Sequence, residues 1–171
     1  MEIFVIKIKD AKNIQEEFLL SFKKKSFSNI KKLKTHCLAY LMTDKILKEH
    51  YNIQDRTIVF DKGKPLLQSQ QKHFSISHSG EYISIAFSDF PCGVDIEKNK
   101  KRNFKDIAKR MNFKSCKIED FYPQWTEYEA CYKLNTKPAS GKTYQLDEYT
   151  LTALSAKPNE SFTLYLDSTE N

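Results

Sequence analysis

Phe74-Ser75-Ile76-Ser77, Tyr82-Ile83-Ser84-Ile85-Ala86-Phe87 and Cys92-Gly93-Val94-Asp95-Ile96-Glu97 follow one another with little more than turn residues between them. Each run alternates, or nearly so, between apolar and polar side chains, the period of a strand with one buried face. Gly80 and Ser88-Asp89-Phe90-Pro91 supply the turns. Consecutive strands joined this tightly predict an antiparallel meander with the 92–97 strand as its third member.

Working outward, Ile30, Leu33, Cys37, Leu38, Leu41, Ile46 and Leu47 recur mostly at three- and four-residue steps, one buried face of a helix. Met1 to Ile8 reads as an opening strand, and Thr57-Ile58-Val59-Phe60 as a short one before the break at Asp61-Lys62-Gly63-Lys64-Pro65. Phe104 to Met111 looks helical. A further helix, starting near Pro123, carries Trp125, Tyr128, Glu129, Tyr132 and Lys133. Tyr149–Leu154 and Ser161–Leu166 read as two last strands. The fold class is α+β, helices packed on antiparallel sheet. The loose recurrence of helix-then-strands suggests two lobes, residues 1–92 and 93–171.

At 171 residues, with 40% hydrophobic and 29% charged side chains, the chain has the balance of a folded domain. The lysine-rich tract 22–34 and the tail after Asp167 are the stretches least suited to a core. There is no signal-peptide pattern, and no apolar run approaches the ~20 residues of a membrane span. Cys37, Cys92, Cys116 and Cys131 are scattered without a C-x-x-C pair, which predicts reduced thiols and a cytoplasmic setting. The formal net charge of +6 suits an acidic partner: nucleic acid, a phosphorylated small molecule or an acidic protein.

Three groups of residues carry chemistry. Asp95 and Glu97, two apart on a strand, point the same way, and a hard cation such as magnesium suits two such carboxylates. A solvated strand end would give the same triplet. Glu129 and Lys133 stand four apart on a helix and would form an ordinary i,i+4 pair on a polar face. Trp125, Tyr128 and Tyr132 beside them leave little polar surface there, so Glu129 could complete a three-acid site. Lys64 in a Gly-Lys-Pro turn could meet a phosphate, and His78 at a strand end could donate a hydrogen bond. A zinc-type histidine site lacks the accompanying Cys or His spacing.

Gly63-Lys64-Pro65, Phe74-Ser75-Ile76-Ser77-His78-Ser79, Gly93-Val94-Asp95-Ile96-Glu97 and Trp125-Thr126-Glu127-Tyr128-Glu129-Ala130-Cys131-Tyr132-Lys133, in that order, resemble the Sfp-type 4′-phosphopantetheinyl transferases. The resemblance implies a pseudo-twofold pair of lobes with the active site between them. It implies transfer of 4′-phosphopantetheine from coenzyme A to a serine of an apo acyl or peptidyl carrier protein, with release of adenosine 3′,5′-bisphosphate. Asp95, Glu97 and Glu129 would hold Mg²⁺, with Glu129 as general base and Lys133 near the phosphates. Lys64, Pro65, Ser77 and His78 would grip the nucleotide end of coenzyme A, joined by a basic residue of Lys31 to Lys34 at the 3′-phosphate. Fatty-acid biosynthesis is one setting for such an enzyme. Two departures stand out: Tyr128 replaces the lysine usual before the helix glutamate, and the part after Lys133 is short for the family. A coenzyme A-binding protein without activity and a basic nucleic-acid-binding module are the alternatives, the second lacking any recognised nucleic-acid motif.

Overall fold

The alternation around residue 80 produces the strands it predicts. In the computed structural model, which describes residues 1–8, 30–101, 103–115 and 117–166, β4 (His73–Ser79) and β5 (Tyr82–Ser88) form an antiparallel hairpin with Phe74 opposite Phe87 and Ile76 opposite Ile85. The side chains of Ile30, Lys31 and Ile118 also lie outside the described set. β1 (Glu2–Lys7) lies antiparallel along the other edge of β5, and β9 (Thr163–Leu166) runs parallel beside β1. The first sheet therefore has the order β4-β5-β1-β9.

The meander stops at β5, which corrects the sequence reading of the third strand. β1 already occupies the free edge of β5, so β6 (Cys92–Lys98) joins a second antiparallel sheet, β6-β8-β7, with β8 (Tyr149–Ser155) and β7 (Ser140–Leu146). Alternation reveals which face of a strand is buried; it is silent on the neighbour. β7 itself, mostly exposed, carries no apolar pattern strong enough to announce it.

The two sheets stack face to face. Ile3, Val5 and Ala86 from the first meet Val94, Ile96, Leu151 and Ala153 from the second, all buried. The outer face of the first sheet, with Phe74, Ile83, Ile85 and Phe87, packs under helix α1 (Ile30–Glu49) through Ala39, Ile46 and Leu47. On the outer face of the second, Leu154 meets Ala130 and Leu134 of helix α3 (Ile118–Leu134). Helix α2 (Phe104–Arg110) braces α3 through Ala108, Phe121 and Tyr122. Each fully buried aliphatic side chain in these layers contributes roughly 1.5–3 kcal/mol. The result is helix, sheet, sheet, helix.

α3 begins five residues before Pro123, whose ring then falls inside the helix instead of at its first turn. The helix ends at Asn135, held in the left-handed region at φ 57°. α3 can lie close on β6 because Gly93 has no side chain: a Cβ there would stand 2.0 Å from the carbonyl oxygen of Ala130 and 2.8 Å from the nitrogen of Leu134.

The break at 61–65 is a hairpin. β2 (Ile58–Asp61) and β3 (Lys64–Leu67) pair antiparallel, and the two-residue turn Lys62-Gly63 has positive φ at both positions, 47° and 86°. Such a turn matches the twist of its strands and favours glycine. A Cβ on Gly63 would meet nothing within 4 Å. Gly63→Ala should therefore cost only the backbone strain, about 1 kcal/mol, read as a small fall in the urea midpoint.

Cys37, Cys92 and Cys131 are free thiols, the first two buried. Among the described residues no helix is long and apolar enough to cross a membrane. Lys23 to Lys25 and the tail after residue 166 lie outside the described residues.

Candidate active site

Where β4 and β6 run side by side, no backbone ladder joins them; a row of serines does. Ser75, Ser77 and Ser79 alternate along β4 and face β6. The Val94 N–H donates to Ser75 Oγ at 3.1 Å, Ser77 Oγ donates to Asp95 Oδ1 at 2.7 Å, and Ser79 Oγ donates to Glu97 Oε2 at 2.8 Å. Ser79 Oγ also accepts from the Lys98 N–H at 3.1 Å. The contacts ascend in both strands, so β4 and β6 are parallel. Edge N–H groups that would otherwise be buried without partners are satisfied by hydroxyls.

Asp95 is buried, with 5% of its surface exposed. Its Oδ1 takes the Ser77 hydroxyl and the Lys133 ammonium, the latter at 2.7 Å; Lys133 Nζ also donates to the Val94 carbonyl at 3.1 Å. Its Oδ2 is buried with no hydrogen-bond partner. Burial pushes the Asp95 carboxyl above its ordinary range, the nearby Lys133 charge opposing this in part. Glu129, half-buried on α3 one turn before Lys133, is likewise pushed up, first by desolvation and then by the charges of Asp95 and Glu97.

An unpartnered buried oxygen amid three mutually repelling carboxylates fits a hard cation, so the donor set suits magnesium. Among the described residues no three His, Cys, Asp or Glu side chains are drawn together into a metal-holding group. Lys133 supplies the counter-charge on Asp95 in this arrangement.

Beside the carboxylates opens a cleft of about 550 Å³. The β2–β3 hairpin forms one wall with Lys62, Gly63, Lys64 and Pro65; β4 contributes Phe74, Ser75, Ile76 and His78; α3 contributes Tyr132 and Lys133. Lys64, Pro65, His78 and Lys133, singled out from the sequence, thus share one space. Ser77 does not line it: its hydroxyl is turned to Asp95. His36 and Tyr40 of α1 line the cleft too, and nothing in their helical spacing distinguishes them from core residues. Of the lysines at 31 to 34, Lys32 is exposed and neither it nor Lys34 lines the cleft.

Lys64 Nζ lies 3.5 Å from the Leu134 carbonyl, at the negative end of α3. Burial holds its ammonium below the usual lysine range. His78 keeps an exposed edge but is walled in at longer range by the cleft; desolvation, then the Lys133 charge, lower its pKa. It enters the cleft as a neutral hydrogen-bonding ring near neutral pH. Tyr128, 45% exposed, joins Phe113 and Trp125 in an aromatic group on the outer side of α3. It brings no charge to the cleft.

No family model matches the chain. Curated relatives do. A 4′-phosphopantetheinyl transferase of Bacillus pumilus, psf-1, is 29% identical over 88% of this chain and 74% of its own length. The 4′-phosphopantetheinyl transferase Sfp of Bacillus subtilis is 30% identical over 67% of this chain and 56% of its own, and the gsp transferase of Aneurinibacillus migulanus 30% over 63% and 50%. The matched part of the chain thus spans between half and three quarters of these relatives.

Proposed function

We propose that the chain is a member of the Sfp-type 4′-phosphopantetheinyl transferase family, to whose members it is similar, and that it transfers 4′-phosphopantetheine from coenzyme A to a serine of an apo acyl or peptidyl carrier protein. The observation that carries this reading is the convergence of Lys64, His78 and Lys133 on one cleft beside Asp95, whose buried Oδ2 has no partner. A nucleotide pyrophosphate needs cations and donors, and a transferable phosphoryl group needs a carboxylate cluster at its edge.

Asp95, Glu97 and Glu129 would hold Mg²⁺. When bound, the metal supplies charge neutralisation for the pyrophosphate. The remaining chemistry falls to the chain. Lys64 and His78 bind the nucleotide end of coenzyme A against the hairpin wall, and Lys133 offsets charge on the leaving group. Glu129, made more basic by burial and by Asp95 and Glu97, accepts the proton of the carrier serine. The serine oxygen forms its bond to the phosphorus that bears the pantetheine arm, the bond to the bridging pyrophosphate oxygen breaks, and adenosine 3′,5′-bisphosphate departs. A helix on the outer face of each sheet, α1 on the first and α3 on the second, supports a two-lobed, pseudo-twofold reading with the site between lobes 1–92 and 93–171. A cytoplasmic setting with free thiols accords with the substrates.

The test is direct. Incubation with coenzyme A, Mg²⁺ and an apo acyl carrier protein should give a carrier heavier by one phosphopantetheine in the mass spectrum. Folded protein that modifies none of several apo carriers would refute the proposal.

A further inference from the structure

We propose that Ser77 and Ser79 are positioning residues that hold Asp95 and Glu97 in cation-binding orientation across the seam between the two sheets, and that Ser77 does not grip the nucleotide. The inference rests on the transferase reading and concerns how its site is assembled.

The spacing of donors matches the spacing of acceptors. Ser77 and Ser79 are two apart on β4; Asp95 and Glu97 are two apart on β6; each hydroxyl meets one carboxylate, at 2.7 and 2.8 Å. Two-residue periodicity on parallel strands puts all four side chains in one row. The Ser77 hydroxyl and the Lys133 ammonium both sit on Oδ1 of Asp95, which leaves Oδ2 as the oxygen to be offered. Ser79 holds Oε2 of Glu97, and its hydroxyl is itself fixed by the Lys98 N–H. A buried carboxylate whose rotamer is fixed by a donor is preorganised for a cation, and loss of such supporting partners typically lowers metal affinity 10–100-fold. Ser77 is buried, 7% exposed, and does not border the cleft. Its hydroxyl is already committed to Asp95 at 2.7 Å.

The experiment uses the full chain and two readouts besides turnover. Mn²⁺ affinity is measured by electron paramagnetic resonance with coenzyme A present, and coenzyme A affinity by calorimetry in EDTA. For Ser77→Ala combined with Ser79→Ala, Mn²⁺ binding should weaken about 10–100-fold, while coenzyme A affinity in EDTA stays at the wild-type value. Ser77→Thr, which keeps the hydroxyl, should restore the Ser77 share of the Mn²⁺ affinity. Ser79→Ala alone, at a half-buried position, gives a second variant should the double change disturb folding. Unchanged Mn²⁺ affinity overturns the proposal, and so does a fall in coenzyme A affinity in EDTA for Ser77→Ala. Wild-type protein that binds neither coenzyme A nor Mn²⁺ would remove the transferase reading and this inference with it.

Discussion

Gly93→Ala should destabilise the molecule by roughly 3–5 kcal/mol, the upper end of what a single substitution does. The new methyl carbon would lie 2.0 Å from the Ala130 carbonyl oxygen and 2.8 Å from the Leu134 nitrogen, both helix backbone. Backbone cannot rotate aside as a side chain can, so α3 must lift from β6 along its whole contact. That movement separates Glu129 and Lys133 from Asp95 and Glu97 as well as opening the Ala130–Leu134–Leu154 contact. Trp125, the one tryptophan, sits on the displaced helix and reports on it directly. Urea denaturation followed by its fluorescence should show a large fall in midpoint, and transfer should vanish with it. A midpoint equal to that of the wild type would mean that α3 is not seated on β6 as described. Gly63→Ala is the control, a glycine with strain but no clash.

Asp95→Ala should lower kcat/KM for transfer about a thousand-fold, equivalent to roughly 4 kcal/mol of barrier. The substitution removes both the buried Oδ2 and the partner of Lys133. Released from its 2.7 Å ion pair, Lys133 is left with the Val94 carbonyl and the cleft it lines. Coenzyme A affinity in EDTA should then be no weaker than in the wild type, because a cation has been freed toward the phosphates. Glu129→Gln should abolish transfer by a different route, since an amide takes no proton from the carrier serine. Its fold should be no less stable, as it removes a charge disfavoured by burial and by two neighbouring carboxylates. Retained transfer in either variant, measured by mass spectrometry of the carrier, would reject that residue's assigned role.

Much of this site is legible in the sequence, for identifiable reasons. Lys64, His78, Asp95 and Glu97 stand in short motifs next to glycines that turn the chain or admit close packing, while Glu129 and Lys133 stand four apart on an aromatic-rich helix. The strand period of 92–97 correctly puts both carboxylates on one face, away from Val94 and Ile96. What pattern alone misses is adjacency. β6 reads equally well as the third strand of a meander, and only the occupation of β5 by β1 sends it to the other sheet. The same limit hid the purpose of the serines. Ser75 and Ser77 read as the polar half of an alternating strand, but their partners come from a strand eighteen or nineteen residues later. His36 and Tyr40 sit at helical spacings that a buried face would produce anyway, so their place in the cleft depends on where α1 meets the hairpin.

The pairing of β9 with β1 brings Thr163 beside Glu2 and Leu166 beside Val5. During synthesis, the outer edge of β1 must wait for a strand made about 160 residues later, some 10–30 s at ordinary elongation rates. Through that interval the nascent chain presents an open strand edge that any other extended segment could join. Final closure of the first sheet is a long-range event, slow by its contact order and exposed to competition. Chaperone dependence, and a yield that falls as expression is driven faster, are the cellular signatures such a topology should leave.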